Sequence, residues 1–217
     1  MSPRRDLDSQ HGHTVIVDLR PLASPRLSCE ARRVLNPWPS WTYFPRNATP
    51  PTWIAPLIDV VRGAQSAIST VEPGVRATSD QVLAALAAGL QALGFQVETS
   101  KVRDAKVARP VLFGENGVPT VTYEVDGVHD ELGIVLEVEA GRGAQNNAAY
   151  RDVIRASLIV NAQYLVLLMP LFYRFGGKDG GRMQEVAAYA DARAMLEAVY
   201  ASRRLALPFT GVLLIGY

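Results

Sequence analysis

The chain of 217 residues contains little cysteine, histidine or lysine. Its single cysteine, Cys29, excludes an internal disulfide and a cysteine zinc cluster. Two of the three histidines, His11 and His13, lie near the N-terminus, which argues against a histidine-rich zinc site. The 22 basic residues nearly balance the 21 acidic ones, so the net charge of +1 excludes a polybasic, histone-like protein.

The chain also lacks an apolar run long enough to span a bilayer. Its most apolar stretch, residues 158–175, is interrupted by Asn161, Gln163, Pro170 and Arg174. The first ten residues are polar, and no apolar segment of the signal-peptide type follows them. The composition, 48% hydrophobic and 20% charged, is typical of a globular protein. We therefore expect a soluble cytoplasmic protein without a membrane partner.

Proline and tryptophan divide the chain into two parts. Proline is concentrated before residue 52, and all three tryptophans lie within residues 38–53. Because proline cannot donate in a β-ladder or sit inside a helix, we predict an irregular N-terminal extension over residues 1–52. The tryptophans would either stack on nucleic-acid bases or pin the extension to the main body, and the second interpretation is favoured. Residues 53–217 are the predicted folded domain.

The rest of the chain alternates between helical and strand patterns. Apolar residues spaced by three and four predict helices over residues 53–69, 79–93, 146–162 and 183–205. Alternating or continuously apolar segments predict strands over residues 95–99, 120–128, 133–139, 164–171 and 210–217. The basic stretch 101–109 is interpreted as a loop. This order predicts an α/β domain with a mixed central sheet flanked by helices.

Four carboxylates lie on the two strands of a predicted hairpin. A turn centred on residues 131–132 sets the register, and the opposed pairs are then Val128 with Val135, Asp126 with Glu137, and Glu124 with Glu139. Because side chains alternate along a strand, all four acids project from one face of the hairpin. The opposite face is apolar and carries Tyr123, Val125, Ile134, Leu136 and Val138.

Like charges directly opposite one another in a sheet are destabilising, so this acidic face needs an explanation. It is either a solvated surface or the binding site of a hard divalent cation such as Mg²⁺. The apolar strand that follows favours the cation site, as do Arg151 and Arg155, which lie four apart on the next predicted helix. Metal-assisted phosphodiester hydrolysis is the reaction that such a site supports.

Asp126, ten intervening residues, and then Glu137-Val138-Glu139 resemble the signature of the PD-(D/E)xK, or restriction endonuclease-like, nuclease superfamily. The predicted order of helix, strand, hairpin, helix and strand over residues 78–171 is similar to the core of that superfamily. Glu139 stands where lysine is usual, which resembles the E-x-E variant of BamHI- and BglII-like restriction endonucleases. The resemblance implies a restriction endonuclease-like fold and a Mg²⁺-dependent DNA endonuclease, with Mn²⁺ as a substitute cofactor.

The resemblance also implies roles for individual residues. Asp126 and Glu137 would bind the metal, with the Val138 carbonyl as a third ligand. Glu139 would orient or deprotonate the attacking water. Lys101 is the best-placed lysine if a migrated lysine performs that task. Glu124 would be an outer partner of the metal ligands.

The expected partner is double-stranded DNA, and cutting both strands with one site per chain would require a homodimer. The residues expected to contact DNA are Arg142, Asn146, Tyr150, Arg151 and Arg155. An acid of the first helix often joins such a site, but Asp80 is interpreted here as part of that helix's cap. Two other interpretations remain: a catalytically inactive endonuclease fold that binds DNA or assists assembly, and an acidic-faced α/β protein with no role in nucleic-acid chemistry.

Overall fold

Ten strands and five helices make up the part of the chain that this computed structural model describes, namely residues 38–72, 76–98, 106–140, 148–176, 183–202 and 204–217. The strands are β1 (Ser40–Phe44), β2 (Gln96–Val97), β3 (Val107–Phe113), β4 (Pro119–Val125), β5 (Gly127–His129), β6 (Ile134–Val138), β7 (Tyr164–Met169), β8 (Tyr173–Gly176), β9 (Met183–Val186) and β10 (Gly211–Gly216). The helices are α1 (Ile54–Gly63), α2 (Gln65–Ile68), α3 (Ser79–Ala92), α4 (Ala148–Ser157) and α5 (Ala188–Ser202).

Six strands form one mixed sheet in the order β1-β10-β7-β6-β5-β2. Strands β6, β7 and β10 are parallel to one another at its centre, and β1, β5 and β2 pair antiparallel towards its edges. Helices α1 and α3 pack on one face and α4 and α5 on the other, which is why β7 and β10 are apolar on both faces. No helix among the described residues is long and apolar enough to cross a bilayer.

The sequence around α3 explains where that helix begins and ends. The Thr78 hydroxyl accepts a hydrogen bond from the backbone N–H of Gln81, and the Gln81 side chain accepts one from the backbone N–H of Thr78. This capping box satisfies donors that the first turn would otherwise leave unpaired. Gly94 follows the helix with a φ of +93°, a conformation that glycine adopts without strain. Asp80 lies in the first turn and is not the capping residue.

The α/β class and the mixed central sheet flanked by helices are confirmed. The hairpin register is also confirmed for β5 and β6, because Val128 is opposite Val135 and His129 is opposite Ile134. The turn is closed by a hydrogen bond from the backbone N–H of Gly133 to the carbonyl of Asp130, at 3.2 Å. The burial of β7 on both faces agrees with its continuously apolar sequence.

Four strands, namely β1, β3, β8 and β9, lie where the sequence predicted none. Strand β1 falls within the stretch expected to be irregular, and it pairs with β10 as an edge strand, the position in a sheet that tolerates neighbouring prolines. Strand β3 begins at Val107, within the stretch that was predicted as a basic loop. Arg109 on this strand binds Asp130, and Lys106 just before it binds Glu124. Strand β9 pairs with β8, so the helix predicted from residue 183 begins only at Ala188.

The strand predicted over residues 120–128 is split at Asp126. Strand β4 leaves the main sheet and pairs with β3, while β5 begins at Gly127 within the main sheet. Glu124 therefore lies opposite Ala108, and its predicted pairing with Glu139 is wrong. The split also moves Val125, which packs in the core on the α4 side of the sheet, opposite to the face that was predicted for it.

Candidate active site

The carboxyl groups of Glu137 and Glu139 lie on the face of the sheet that α4 covers. Along β6 the side chains alternate, so that Val135 packs in the core with α4 while Leu136 and Val138 pack in the core with α3. Glu137 and Glu139 share the side of Val135, and each is only 8% exposed. The sequence predicted correctly that the two acids share a face, but this face is buried.

Asp126 joins this pair through the bend between β4 and β5. Its Oδ2 accepts a hydrogen bond of 2.7 Å from the backbone N–H of Val138, the residue between the two glutamates. If β4 had continued into β5 as one antiparallel strand, a backbone carbonyl of that strand would have accepted the Val138 N–H. At the bend, the Asp126 side chain accepts it instead. The same hydrogen bond fixes Asp126 beside the end of β6.

Asp152 of α4 is the fourth carboxyl of the cluster. It is 1% exposed, and it is hydrogen-bonded to Glu139. Asp152 was not among the site residues predicted from the sequence. Its helical position, three residues after the buried Ala149 and one before the buried Val153, is the signal that it points inwards.

Burial and mutual repulsion raise the pKa values of three of these acids. Burial, helped by the charges of Asp126 and Asp152 and opposed by Arg155, raises the pKa of Glu137 to about 9. Burial raises the pKa of Glu139 to about 8, helped by its hydrogen bond to Asp152 and opposed by Arg151. Burial also raises the pKa of Asp126 to about 6, against the hydrogen bond from Val138. The cluster therefore holds protons near neutral pH.

Two further acids act on Asp126 from outside the cluster. Glu98, just after β2, and Asp80, in the first turn of α3, both contribute to the raised pKa of Asp126. Asp80 therefore belongs to the electrostatic surroundings of the site. The sequence signal for this role was the position of Asp80 at the beginning of α3, the helix that precedes β2.

Arg151 and Arg155 of α4 border the carboxyl cluster. Arg151 donates from Nε to Asp152 Oδ1 at 2.9 Å, and its Nη2 is hydrogen-bonded to Glu139 Oε1. Arg155 donates from Nη2 to the backbone carbonyl of Glu124 at 3.0 Å. Its guanidinium also lies 5.4 Å from the centre of the Tyr123 ring. Two of the three arginines that the sequence assigned to DNA contacts, Arg151 and Arg155, therefore border the carboxyl cluster.

Three further predicted site residues lie within the described part of the chain, and none of them adds a side chain to the carboxyl cluster. Glu124 is exposed and forms an ion pair with Lys106 on the hairpin of β3 and β4. Tyr150 is on α4 and is 52% exposed. The side chain of Val138 packs in the core. Lys101, Arg142 and Asn146 lie outside the described residues.

The site thus combines buried carboxyl oxygens with arginine side chains at its border. Carboxylate oxygens are the protein ligands that Mg²⁺ prefers, and arginine is suited to phosphate. In the conformation described, however, no three His, Cys, Asp or Glu side chains of the described residues are arranged to hold a metal ion. One of the carboxyls, that of Glu139, forms an ion pair with the Arg151 guanidinium.

Comparison with known proteins assigns neither a family nor a function to this chain. A scan against protein-family models gives no match, and a search of curated proteins gives no similar sequence.

Proposed function

We propose that this chain is a divalent-metal-dependent DNA endonuclease with a restriction endonuclease-like core. The observation that carries the proposal is the burial of Glu137 and Glu139 beside the half-buried Asp126, with a raised pKa for each of the three carboxyls. Burying several ionised carboxyls together is unfavourable unless a positive charge compensates them, which is why these carboxyls hold protons when no cation is bound. A bound divalent cation supplies that charge.

The order of the elements supports the same proposal. Helix α3 precedes β2, β5 and β6, and α4 and β7 follow. Strands β2, β5, β6 and β7 are neighbours in that order in the sheet, antiparallel up to β6 and parallel from β6 to β7. With β3 and β4 inserted between β2 and β5, this order is similar to the succession of helix, strand, hairpin, helix and strand on which the resemblance to the superfamily depends.

The donor set fits Mg²⁺, with Mn²⁺ as a substitute. Asp126 and Glu137 would hold the ion, and the Val138 carbonyl, between Glu137 and Glu139, is the expected third ligand. A bound ion would polarise the phosphate and lower the pKa of a bound water. The protein supplies the rest: the Asp126–Val138 hydrogen bond keeps the bend next to β6, and α4 shields the carboxyls from bulk water.

Glu139 is the proposed proton acceptor. A catalytic base works best when its pKa lies near the working pH, and the pKa of Glu139 is raised to about 8. Lys101 remains the alternative base from the sequence. Arg151 and Arg155 would bind phosphates of double-stranded DNA, together with Arg142, Asn146 and Tyr150 as expected from the sequence. A homodimer would place one such site on each strand.

A catalytically inactive DNA-binding or assembly module is the second candidate. The observation that favours it is the ion pair between Arg151 and Glu139, because a guanidinium in the carboxyl cluster neutralises part of its charge without a metal. Such a module would keep the arginines that bind DNA and would not cut.

Cleavage of supercoiled plasmid separates the two candidates. The wild type and an Asp126→Asn/Glu137→Gln double variant are incubated with plasmid in EDTA, in Mg²⁺ and in Mn²⁺, with Glu131→Gln in the exposed turn as the control. The nuclease proposal expects metal-dependent nicking by the wild type and the control, and none by the double variant. Retention of DNA without cleavage by all three proteins would support the inactive module. Neither binding nor cleavage by the wild type would overturn both candidates.

A further inference from the structure

Arg151 connects the buried carboxyls with solvent. Its Nε donates to Asp152 and its Nη2 contacts Glu139, so one guanidinium binds two members of the cluster. The Arg151 side chain is 56% exposed, whereas the side chains of Glu139 and Asp152 are 10% and 2% exposed. The Arg151 guanidinium is therefore accessible from solvent, whereas the carboxyl groups of Glu139 and Asp152, to which it is bonded, are buried.

A divalent cation entering the cluster would compete with this guanidinium. Arginine carries a permanent charge, so a cation bound at Asp126 and Glu137 would compensate the negative charge of the same cluster and weaken the hold of Arg151 on Glu139 and Asp152. Arg151 already lies close enough to Glu137 to interact with it electrostatically. Once displaced, the exposed guanidinium would remain beside the site with its donors free for a phosphate.

Arg155 provides a contrast on the same helix. It is anchored to the backbone carbonyl of Glu124 and to the Tyr123 ring, both on β4. A divalent cation does not compete for an arginine's bond to a single backbone carbonyl outside the carboxyl cluster. The two arginines therefore differ in whether metal binding would release them.

We propose that Arg151 is an exchangeable counter-ion of the site, which holds Glu139 and Asp152 until a divalent cation binds at the neighbouring Asp126 and Glu137, and which then moves to a DNA phosphate. This inference rests on the proposed nuclease function. It makes cation binding and DNA binding cooperative, because the cation frees the group that the phosphate needs, and by reciprocity DNA strengthens cation binding.

DNA affinity measured with and without a cation tests the exchange. Fluorescence anisotropy of a labelled duplex is followed in EDTA and in Ca²⁺, a hard cation used here in place of Mg²⁺. The wild type should bind more tightly in Ca²⁺, and Arg151→Ala should lose about tenfold in affinity in Ca²⁺ alone, a typical size for such coupling. Arg155→Ala should lose affinity equally in both conditions, and Arg62→Ala, on α1, controls for the loss of one positive charge. An equal loss for Arg151→Ala with and without Ca²⁺ would overturn the exchange and leave the nuclease proposal standing.

Calorimetry of Ca²⁺ binding without DNA tests the exchange independently of the nuclease proposal. The titration is made at pH 9, where competition from protons is weakest. Arg151→Ala should bind Ca²⁺ about tenfold more tightly than the wild type because the competing charge is gone, and Arg151→Lys should restore much of the competition. Equal or weaker Ca²⁺ binding by Arg151→Ala would overturn the exchange. If the wild type binds Ca²⁺ as expected but never binds or cuts DNA, the nuclease proposal fails and the competition at the carboxyls remains.

Discussion

Asp126 accepts a hydrogen bond of 2.7 Å from the backbone N–H of Val138. This single bond joins the bend where β4 leaves the sheet to the strand that carries both glutamates. It gives Asp126 a structural role as well as the proposed role in binding metal, and the two roles can be separated by substitution.

Asp126→Asn keeps an acceptor for the Val138 N–H, whereas Asp126→Ala leaves that N–H without one. We expect Asp126→Ala to lower the free energy of unfolding by about 1–3 kcal/mol relative to Asp126→Asn, the typical penalty for an unsatisfied buried donor. Chemical denaturation of the two variants provides the comparison. Equal stabilities would show that the hydrogen bond does not hold the bend. Both variants should lose cation binding, because each lacks the carboxylate.

The raised pKa values predict how stability depends on pH when no divalent cation is present. The pKa of Glu137 is raised to about 9 and that of Glu139 to about 8, from values near 4.5 in the unfolded chain. Between about pH 4.5 and pH 9, the folded state therefore binds more protons than the unfolded state. The stabilisation is complete below about pH 4.5 and is lost as the pH rises through 8 and 9.

Thermal denaturation between pH 5 and pH 9 in EDTA should show this loss, on the order of a few kcal/mol. Glu137→Gln is neutral at every pH, so it should flatten the slope, whereas the exposed Glu131→Gln should follow the wild type. Mg²⁺ should restore stability at the alkaline end, because it binds the ionised carboxyls. A wild-type stability that stays constant or rises towards pH 9 without metal would contradict the assigned burial of Glu137.

Asp152→Asn should weaken divalent-cation binding by about 10- to 100-fold, the usual effect of losing an outer partner of the metal ligands. Asp152 acts electrostatically on the proposed ligands Asp126 and Glu137 and contacts Arg151, so its substitution removes a negative charge from beside the ligands and disturbs the counter-ion. Calorimetric titration with Mn²⁺ measures the change, and Asp191→Asn in the exposed first turn of α5 is the matched control. An unchanged Mn²⁺ affinity would remove Asp152 from the site.

Tyr217 and Tyr200 offer a matched pair for stability. The buried Tyr217 hydroxyl donates to the backbone carbonyl of Glu139 at 2.7 Å, whereas the buried Tyr200 hydroxyl has no hydrogen-bond partner among the described residues. Tyr217→Phe should therefore cost about 1–3 kcal/mol, and Tyr200→Phe should be neutral or stabilising. Urea denaturation of both variants gives the comparison. The same cost in both would show that the bond to Glu139 contributes nothing specific.

The sequence predicted those parts of the fold whose patterns are local. The capping box and apolar spacing placed α3, and the polar turn before Gly133 set the register of β5 against β6. Strand β3 was missed because its basic residues suggested a loop, although in the structure Arg109 and Lys106 are paired with acids that are distant in sequence. Such pairing is visible only after the chain has folded.

The candidate site was predictable in its strand residues and not in its surroundings. Alternation placed Glu137 and Glu139 on one face, but it did not show that α4 covers that face and buries them. The position of Glu124 was wrong because regular alternation does not foresee a bend made by a side-chain hydrogen bond at Asp126. Asp152 was missed because a lone acid between two arginines has the appearance of a surface residue.

The most direct test of a divalent-cation centre is an anomalous difference map from crystals grown with Mn²⁺ and a DNA duplex. The account predicts a peak within about 2.0–2.2 Å of carboxylate oxygens of both Asp126 and Glu137, the usual distance for a small divalent ion. Arg151 should then be turned away from Glu139. A map with no peak at this cluster, or with the Mn²⁺ bound elsewhere on the protein, would contradict the account.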